Sequence, residues 1–514
     1  MTHPPDSAAS AQDPASDKLD PAVLRIAGVV VLGSIMSILD ISVVVIALPT
    51  FQDTFQTTTA VAAWTMTGYT LALATVIPLS GWVADRFGTK RPYMLAITLF
   101  VLGSALCSTA WNIESLIAFR VLQGFGGGLL MPLGMTIMTR AAGPQRIGRV
   151  MAVLGVPMLL GPISGPILGG WLIGYDWKWI FLINVPLGII GLILAFTIFP
   201  SDNPEPRESF DLLGMLLASP GLAALLYGIS SIPGEGKVLA PKVLIPAIIG
   251  VVLLALFVVH ALRTEHPLID LHLFRNRSVS IAAGTMIMFA AAFFGSGLLL
   301  PLYLQQVRGE SAMSAGLLLV PQGLGAMLTM PIAGRLVDKI GPGKIVMTGI
   351  AVITIGVAFF TQLHADTSYP LILVALFIMG LGMGCTMMPI MTAAIQTLTH
   401  HQVARGSTLM NIINQTGGSI GTATFSVLLT NALKNHEFAG IAMAYEHDPA
   451  KMQQAGVKLS EDMLHAGLQQ ASTAFGNTYV VAVVLIALTL IPAFFLPRSK
   501  PKTPIQDAEA SMMV

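Results

Sequence analysis

The sequence predicts an all-α polytopic membrane protein, on three observations. The chain has 514 residues, of which 54% are hydrophobic and only 10% charged, whereas soluble domains carry about 25% charged residues. Its mean hydropathy is +0.76. Apolar runs recur from residue 21 to residue 497, and many reach the length of about 18 residues that a membrane-spanning helix needs. We therefore expect many spans rather than a soluble enzyme with one anchor.

Fourteen spanning helices are expected from the hydropathy pattern. They cover residues 22–48, 61–82, 93–111, 115–138, 149–173, 179–199, 212–231, 241–262, 279–304, 312–333, 345–363, 370–396, 407–430 and 474–496. The long segment 431–473 contains helix formers and mixed charges, so one or two short helices are predicted on the outer surface. An even number of spans puts both termini on the same side.

The basic residues indicate which side this is. With the termini inside, 19 Lys and Arg residues fall on the inner face and seven on the outer face. Because short cytoplasmic loops carry an excess of Lys and Arg, both termini are predicted to be cytoplasmic. The tails are residues 1–21, which are polar, Pro-rich and expected to be disordered, and residues 497–514.

An internal repeat divides the chain into two halves. The stretch "GWVADRFGTKR" at 81–91 recurs weakly as "GRLVDKIGPGK" at 334–344, and the same offset of 253 maps 161–170 onto 414–423. Such repeats are typical of secondary transporters. We expect six-helix bundles at 22–199 and 279–496, joined by a linker at 200–278 with two extra spans.

Two full charges, Asp40 and Arg120, lie well inside predicted spans. Asp40 is expected roughly 13 Å and Arg120 roughly 8 Å from the outer end of its helix, at 1.5 Å per residue. A charge in the membrane is costly and typically marks a functional site. A buried carboxylate beside a guanidinium can change its protonation when its surroundings change. The alternative is a static structural ion pair.

Several motifs resemble those of the major facilitator superfamily, in its fourteen-span drug:proton antiporter branch of the EmrB/QacA type. The loop motif is matched by Gly81, Asp85, Arg86, Gly88, Lys90 and Arg91, and the fourth-span motif by Arg120, Gln123 and Gly124. The fifth-span antiporter motif is similar to Gly155, Gly161, Pro162, Gly165, Pro166, Gly169 and Gly170. The sixth-span motif is matched by Trp177, Trp179, Asn184 and Pro186. In the first-span motif Asp40 is present, while Ser42 and Val45 replace the usual Thr and Asn.

The resemblance implies the major facilitator fold, two six-helix bundles plus two linker helices, in the inner membrane of a bacterium. It implies alternating access, with the loop around Asp85 as a gate. It also makes spans 1 and 4 neighbours, so that Asp40 and Arg120 are expected to pair directly, through water or through Gln123. Asp40 is then the proton site and Arg120 its tuning partner. The basic residues Arg86, Lys90 and Arg91 are expected to face the anionic inner leaflet.

The glycines and prolines of span 5 predict a close helix contact, because small residues let helix backbones approach in lipid. The functional interpretation of this seam is that it closes one side of the cavity and sets the polarity of export.

A cavity with one acid and much apolar surface suits lipophilic neutral molecules or monocations. The candidate lining residues are Trp64, Tyr69, Gln123, Gln322, Asn411, Asn414 and Gln415. The Met-rich stretch 378–391 also suits varied apolar ligands, although ordinary core packing is the better explanation for any one Met. Multidrug export is the leading interpretation, with a lipid or metabolite exporter or a proton-independent facilitator as alternatives.

Other classes of function find little support. A P-loop, an H-E-x-x-H pattern and a Ser-His-Asp arrangement are absent from the sequence, so no ATPase or protease activity is indicated. A net charge of +1 gives no reason to expect nucleic acid binding. Cys107 and Cys385 are expected to be free buried thiols, with no metal site. We expect no cofactor, the proton gradient supplying the energy, and a monomer among membrane lipids; the sequence does not indicate a periplasmic adaptor.

Overall fold

The computed structural model describes residues 20–57, 59–142, 146–201, 210–235, 239–265, 267–399, 402–434, 436, 438–447, 452 and 459–498. In this part, 11 helices are long and apolar enough to cross a membrane, and the bent pair Trp64–Val76 and Leu79–Phe87 makes a twelfth. Two further helices, Ile147–Ile173 and Val403–Lys434, have 27 and 32 residues. At 1.5 Å per residue both are about 40 Å or longer. With these two helices counted by length alone, the described residues form fourteen candidate spans in the predicted order.

The spans are numbered 1 to 14 along the chain. Spans 1 to 6 are Pro21–Phe55, the bent pair just named, Lys90–Ser108, Ile113–Ala142, Ile147–Ile173, and Trp179–Leu182 continued by Asn184–Ile198. Spans 7 and 8 are Leu212–Glu235 and Pro241–Ala261. Spans 9 to 11 are Arg277–Gly297 continued by Leu299–Gln306, Ala312–Leu318 continued by Val320–Ile340, and Pro342–Phe359 continued by the 3-10 turn Phe360–Gln362. Spans 12 to 14 are Tyr369–Gly384 continued by Met387–Ile395, Val403–Lys434, and Glu461–Leu488 continued by Leu490–Ala493.

The helix ends differ from the predicted ends, since polar residues extend helices beyond their apolar core. Span 1 begins after Asp20, whose side chain accepts from the Ala22 amide, and continues to Phe55 rather than ending at 48. Span 14 begins at Glu461 rather than at 474, because Ser460 caps it by accepting from the Met463 amide. The segment 431–473 therefore holds the short helix Ala439–His447 and the start of span 14.

The repeat is visible in the packing of the two halves. Spans 1 and 5 pack along each other, as do spans 9 and 13. Spans 2 and 4, 3 and 4, and 3 and 6 also form pairs, matched by 10 and 12, 11 and 12, and 11 and 14. Spans 7 and 8 form a hairpin, and span 7 contacts span 2 of one half and span 13 of the other.

The repeat also extends to the backbone of one turn. Span 2 ends at Gly88 and span 10 at Gly341, with φ angles of 79° and 84° and extended ψ angles. The two positions differ by the offset of 253 found in the sequence. This backbone region is essentially restricted to glycine, so each half requires a glycine where its second helix turns back.

Because the number of spans is even, residues 20 and 498 lie at the same face of the bundle, called here the proximal face. The opposite face is called the distal face. In the proximal part, span 5 packs against spans 10 and 12, and span 13 packs against spans 2 and 4. In the distal part a cavity lies between span 1 and the second half.

Candidate functional site

The two charges of the apolar spans form a buried ion pair. Arg120 donates from Nη1 to Asp40 Oδ2, and the side chains of both residues are fully buried. The same nitrogen lies 2.7 Å from Gln123 Oε1, and Nε donates to the Thr65 carbonyl at 3.0 Å. The guanidinium carbon lies 4.2 Å from the centre of the Tyr69 ring, a cation–π contact. Arg120 is therefore held from four sides.

The second carboxylate oxygen of Asp40 accepts hydrogen bonds from two side-chain amides. Gln123 Nε2 lies 2.8 Å and Asn184 Nδ2 lies 3.3 Å from Oδ1. Both amides also contact the Ser104 hydroxyl, at 3.2 and 3.1 Å. Since a buried charge is tolerated only where it is paired and hydrogen-bonded, these donors from spans 4 and 6 allow a carboxylate to exist here without water.

The structure brings Asp40, Arg120 and Gln123 together, as the sequence predicts. The sequence does not predict all of their neighbours. Nothing in the sequence indicates that Ser104 and the Thr65 carbonyl join this network, and Asn184 stands out there only as part of the sixth-span motif. Tyr69 and Gln123 do not line a cavity: both are fully buried in the network, and the Tyr69 hydroxyl lies 3.0 Å from that of Ser37.

A cavity of about 390 Å³ lies on the other side of span 1. From span 1 it is lined by Ser42, Val45 and Ile46, and from the second half by residues of spans 9 to 12 and 14, including Phe293, Phe294, Leu300, Leu319, Gln322, Leu376, Met379, Met383 and Tyr479. Val45 is 43% exposed there. The lining is largely apolar, and no charged side chain is among the described residues that form it.

The remaining cavity candidates have different positions. Gln322 lines the cavity, with its amide 3.9 Å from Met383 Sδ. Trp64 stacks on Tyr227 of span 7 at 5.5 Å between ring centres. Asn411 lies between the halves, where its amide contacts the Ser407 carbonyl at 2.8 Å and Met135 Sδ at 3.7 Å.

Asn414 and Gln415 lie beside Asn411 in span 13 and are not among the described lining residues of this cavity. Asn414 Oδ1 is buried and has no hydrogen-bond partner among the described residues.

The loop predicted to act as a gate joins the halves at the proximal face. Asp85 lies 3.1 Å from Arg140 of its own half and 3.6 Å from Arg405 at the start of span 13. A Cβ at Gly81 would lie 3.3 Å from Thr408, and the Ser80 hydroxyl is 2.7 Å from that of Thr408. Span 2 thus approaches span 13 closely at this face.

Lys90 of the same loop binds the end of span 6. Its ammonium group donates to the carbonyls of Phe196 and Phe199 at 2.7 and 2.9 Å, and so binds the carboxyl-terminal end of span 6. A cation at this end satisfies carbonyls that have no partner within the helix. That Arg86, Lys90 and Arg91 face the anionic inner leaflet stays a prediction; Arg86 is half-buried and Arg91 is exposed.

A second ion pair between the halves was not expected from the sequence. Asp338 of span 10 lies 3.5 Å from Arg149 at the start of span 5. Asp338 stands 253 residues after Asp85, so the repeat itself was the signal that could have found it. Each half thus places one acid against a basic residue of the other half.

The span 5 motif has two different environments. A Cβ at Gly155 would overlap Met330 and lie 3.1 Å from Met388, in spans 10 and 12 of the other half. At Gly165 and Gly169 it would meet Ser42 and Val43 of span 1, whereas Gly170 has nothing within 4 Å. The surroundings of Gly161, Pro162 and Pro166 lie outside the described part of the structure.

Comparison with known proteins places this architecture in a family. Residues 30–422 match the sequence profile of the Major Facilitator Superfamily. The "Multidrug resistance protein B homolog" of Mycobacterium tuberculosis is 52% identical over 94% of this chain and 92% of its own. The "Multidrug export protein EmrB" of Haemophilus influenzae is 31% identical over 87% and 89%.

A solved structure gives the same fold. The human organic anion transporter MFSD10 (TETRAN) superposes with a TM-score of 0.60 over 91% of this chain and all of its own, at 14% identity. Three findings agree: the two bundles have the same helix pairings, a solved transporter has the same fold, and relatives are named for multidrug resistance and export. The chain is a multi-pass membrane protein and belongs to the major facilitator superfamily, in the branch of the EmrB-type multidrug transporters.

Proposed function

We propose that this protein is a proton-coupled antiporter that exports lipophilic or cationic amphipathic compounds across the bacterial inner membrane. One observation carries the proposal: Asp40 is ion-paired to Arg120 on one side of span 1, while the substrate-sized cavity is lined by Ser42 and Val45 of the same helix. A change at the carboxylate is thereby coupled to the wall of the cavity through one rigid element.

The proton acts by competing with Arg120 for Asp40. When Asp40 binds a proton, the attraction to the guanidinium is lost, and the donors from Gln123 and Asn184 lose their charged acceptor. Span 1 can then shift against span 5, along which it packs. Asp40 accepts the proton while the cavity is open outward and releases it inward, and the substrate moves out on the reciprocal stroke.

The orientation follows from the distribution of basic residues. The topology predicted from the sequence puts 19 of the 27 Lys and Arg residues on the side of the termini, so the proximal face is assigned to the cytoplasm. The pairs Asp85–Arg405 and Asp338–Arg149 close this face. With this assignment the structure corresponds to a state closed to the cytoplasm, whose next step in export is release from the distal cavity.

The chemistry of the cavity favours the substrate class. Phenylalanines, leucines and the flexible Met379 and Met383 suit varied apolar shapes. The expected acid is not part of this lining, because Asp40 is buried against Arg120 on the other side of span 1. The described lining therefore offers no charged partner to a cation, and it favours the apolar body of a lipophilic or amphipathic compound. An exporter of a lipid or of one metabolite remains the second candidate, since the same apolar lining suits an acyl chain.

The decisive test is transport by purified protein in proteoliposomes with a panel of lipophilic dyes. Asp40→Asn should abolish uphill export driven by a pH gradient. Because this variant leaves Arg120 buried without its counter-ion, its thermal unfolding in detergent is measured in parallel, to separate loss of coupling from loss of the fold. An asparagine still accepts from Arg120, and the amide of Asn184 can rotate to present its oxygen atom, whereas Gln123 keeps its oxygen on Arg120. Asp53→Asn is the matched control, because Asp53 is exposed at the distal end of the same helix.

Two outcomes would contradict the proposal. If Asp40→Asn still concentrated dye against its gradient, Asp40 would not be the proton site, and the ion pair would be structural. If the wild-type protein equilibrated dye with no dependence on the pH gradient, the protein would be a facilitator.

A further inference from the structure

A second cavity, of about 510 Å³, lies on the outside of the second half near the distal face. It is formed where spans 10 and 12 begin, and its lining consists of Glu310, Ser314, Leu317, Leu318, Val320, Pro321, Tyr369 and Leu373. We call it the lateral groove. Leu317 in its wall is 48% exposed, so the groove opens on the surface that faces lipid. Apart from Glu310, Ser314 and the Tyr369 hydroxyl, its lining is apolar.

Glu310 is the charged group of this groove. Its carboxylate accepts from the Tyr369 hydroxyl at 2.5 Å. Arg308, two residues away, donates instead to the Thr367 carbonyl at 2.6 Å and stacks on the Tyr369 ring at 4.5 Å. Among the described residues Glu310 forms no ion pair. The groove therefore combines an apolar wall with a carboxylate whose contact among the described residues is the Tyr369 hydroxyl, with the Arg308 guanidinium on the ring of the same tyrosine.

A single helical segment separates the lateral groove from the central cavity. Ala315, Leu319 and Gln322 of span 10 line the central cavity, and Ser314, Leu318 and Pro321 line the groove. The two sets follow the helical period and are offset by one residue, so they lie on adjacent faces of the same segment, about 100° apart.

The segment is broken between its two cavities. Helix Ala312–Leu318 ends and helix Val320–Ile340 begins around Leu319, whose amide donates to the Gly316 carbonyl at 3.1 Å. Pro321 supplies no amide hydrogen, which interrupts the helical ladder. The wall between the cavities is therefore a short helix that is not continuous with the rest of its span.

We propose that the lateral groove is a second binding site, for an amphipathic monocation, that exchanges with the central cavity across the Ala312–Leu318 segment. The proposal rests on the proposed export function and adds an exit toward the outer leaflet. The occupant is fixed by charge complementarity: Glu310 attracts the cationic centre, and Leu317, Leu318 and Leu373 contact the apolar body. A zwitterionic phospholipid fits less well, because its phosphate would lie close to the Glu310 carboxylate.

Binding of radiolabelled tetraphenylphosphonium to the whole purified protein tests this proposal. The protein is placed in nanodiscs of phosphatidylcholine and phosphatidylglycerol, and the neutral dye Nile red is measured in parallel. Wild type should bind tetraphenylphosphonium at two classes of site. In Glu310→Gln one class should weaken about fivefold, the size expected for one partly exposed charge, with Nile red unchanged. The amide oxygen of this variant still accepts from Tyr369, and Asp366→Asn, at an exposed neighbouring acid, is the matched control.

A second variant separates the groove from its charge. Leu317→Trp fills the groove, and it should remove the same class of site for both tetraphenylphosphonium and Nile red. Unchanged binding in both variants, or equal weakening in Asp366→Asn, would overturn the inference. Loss of that site in nanodiscs with phosphatidylethanolamine would identify a lipid headgroup as the occupant instead. Dye export is measured in the same variants. If export persists while tetraphenylphosphonium binding is unchanged by Glu310→Gln and Leu317→Trp, the proposed function stands and the lateral site is wrong.

Discussion

At the scale of single residues, Asp40 and Arg120 depend on each other. The side chains of both are fully buried, and Gln123, Asn184 and the Thr65 carbonyl add hydrogen bonds that help the attraction between them to offset the cost of desolvation. Nη2 of Arg120 has no hydrogen-bond partner among the described residues. Removing one partner leaves an uncompensated buried charge, whereas removing both leaves a polar but neutral pocket.

Arg120→Met should therefore destabilise the protein strongly, by about 3–5 kcal/mol, since it leaves Asp40 buried without its counter-ion. The double variant Asp40→Asn/Arg120→Met should recover part of this loss. Thermal unfolding in detergent measures both, and a double variant less stable than Arg120→Met alone would show that the two side chains do not interact as the ion pair requires.

The two charges could be predicted because they interrupt apolar runs, but their neutral partners could not. Ser104 and Asn184 are ordinary polar residues in spans 3 and 6, and many residues of this kind bond to their own helix, as Thr98 does with the Met94 carbonyl. Tyr69 was assigned to a cavity because aromatic residues often line ligand sites. Only the packing of span 2 against span 4 shows that its ring covers Arg120.

At the scale of helices, span 5 has two different contacts. Its distal part packs along span 1 within the first half, whereas Gly155 in its proximal part touches Met330 and Met388 of the second half. Small residues allow this close approach. The contact of Gly155 must separate when the cytoplasmic face opens, whereas the contact with span 1 lies within one bundle. Span 5 also contacts the distal helix Ala312–Leu318 of the second half.

Gly155→Leu should hinder closure of the proximal face. A larger side chain at a packed contact costs about 1–3 kcal/mol, which corresponds to roughly a tenfold lower population of the closed state, and dye export should fall accordingly. Gly170→Leu on the same helix is the control, because a side chain there meets nothing within 4 Å. Equal transport by the two variants would exclude a role for this contact in closure.

The hairpin of spans 7 and 8 contacts both halves, a feature that the sequence did not indicate. Ser219 donates to the Thr75 carbonyl of span 2 at 2.6 Å. Nearer the proximal face, an apolar cluster joins the hairpin to the second half: its members are Ala218, Phe257, Ala261, Ile269, Leu273, Val279, Leu398 and Leu409. Hydropathy identifies such helices but not their neighbours, so their position could not be predicted from composition.

At the scale of the whole molecule, the repeat explains what the sequence could predict. The fourteen apolar runs predict the order of the helices, and the offset of 253 predicts the likeness of the halves. This likeness includes the positive φ angles of Gly88 and Gly341. Contacts between the halves were harder to predict. They involve Asp338 and Arg149 or Ser80 and Thr408, which are distant in sequence. Under the proposed alternating access these pairs meet only while the proximal face is closed.

That state can be trapped covalently. The hydroxyl oxygens of Ser80 and Thr408 lie 2.7 Å apart across the proximal face, so cysteines at both positions are close enough for a disulfide. Oxidation of Ser80→Cys/Thr408→Cys should hold the face closed and abolish dye export, and a reductant should restore it. Transport in proteoliposomes before and after reduction measures the effect.

The controls for this variant are already in the chain. Cys107 is buried beside Gln123 and Cys385 is half-buried, so the unsubstituted protein shows whether oxidation of these thiols affects transport. Each single cysteine variant should remain active under oxidation. If the double variant formed its disulfide, verified by mass spectrometry, and still exported dye at the full rate, the proximal face would not need to open, and alternating access through this seam would be wrong.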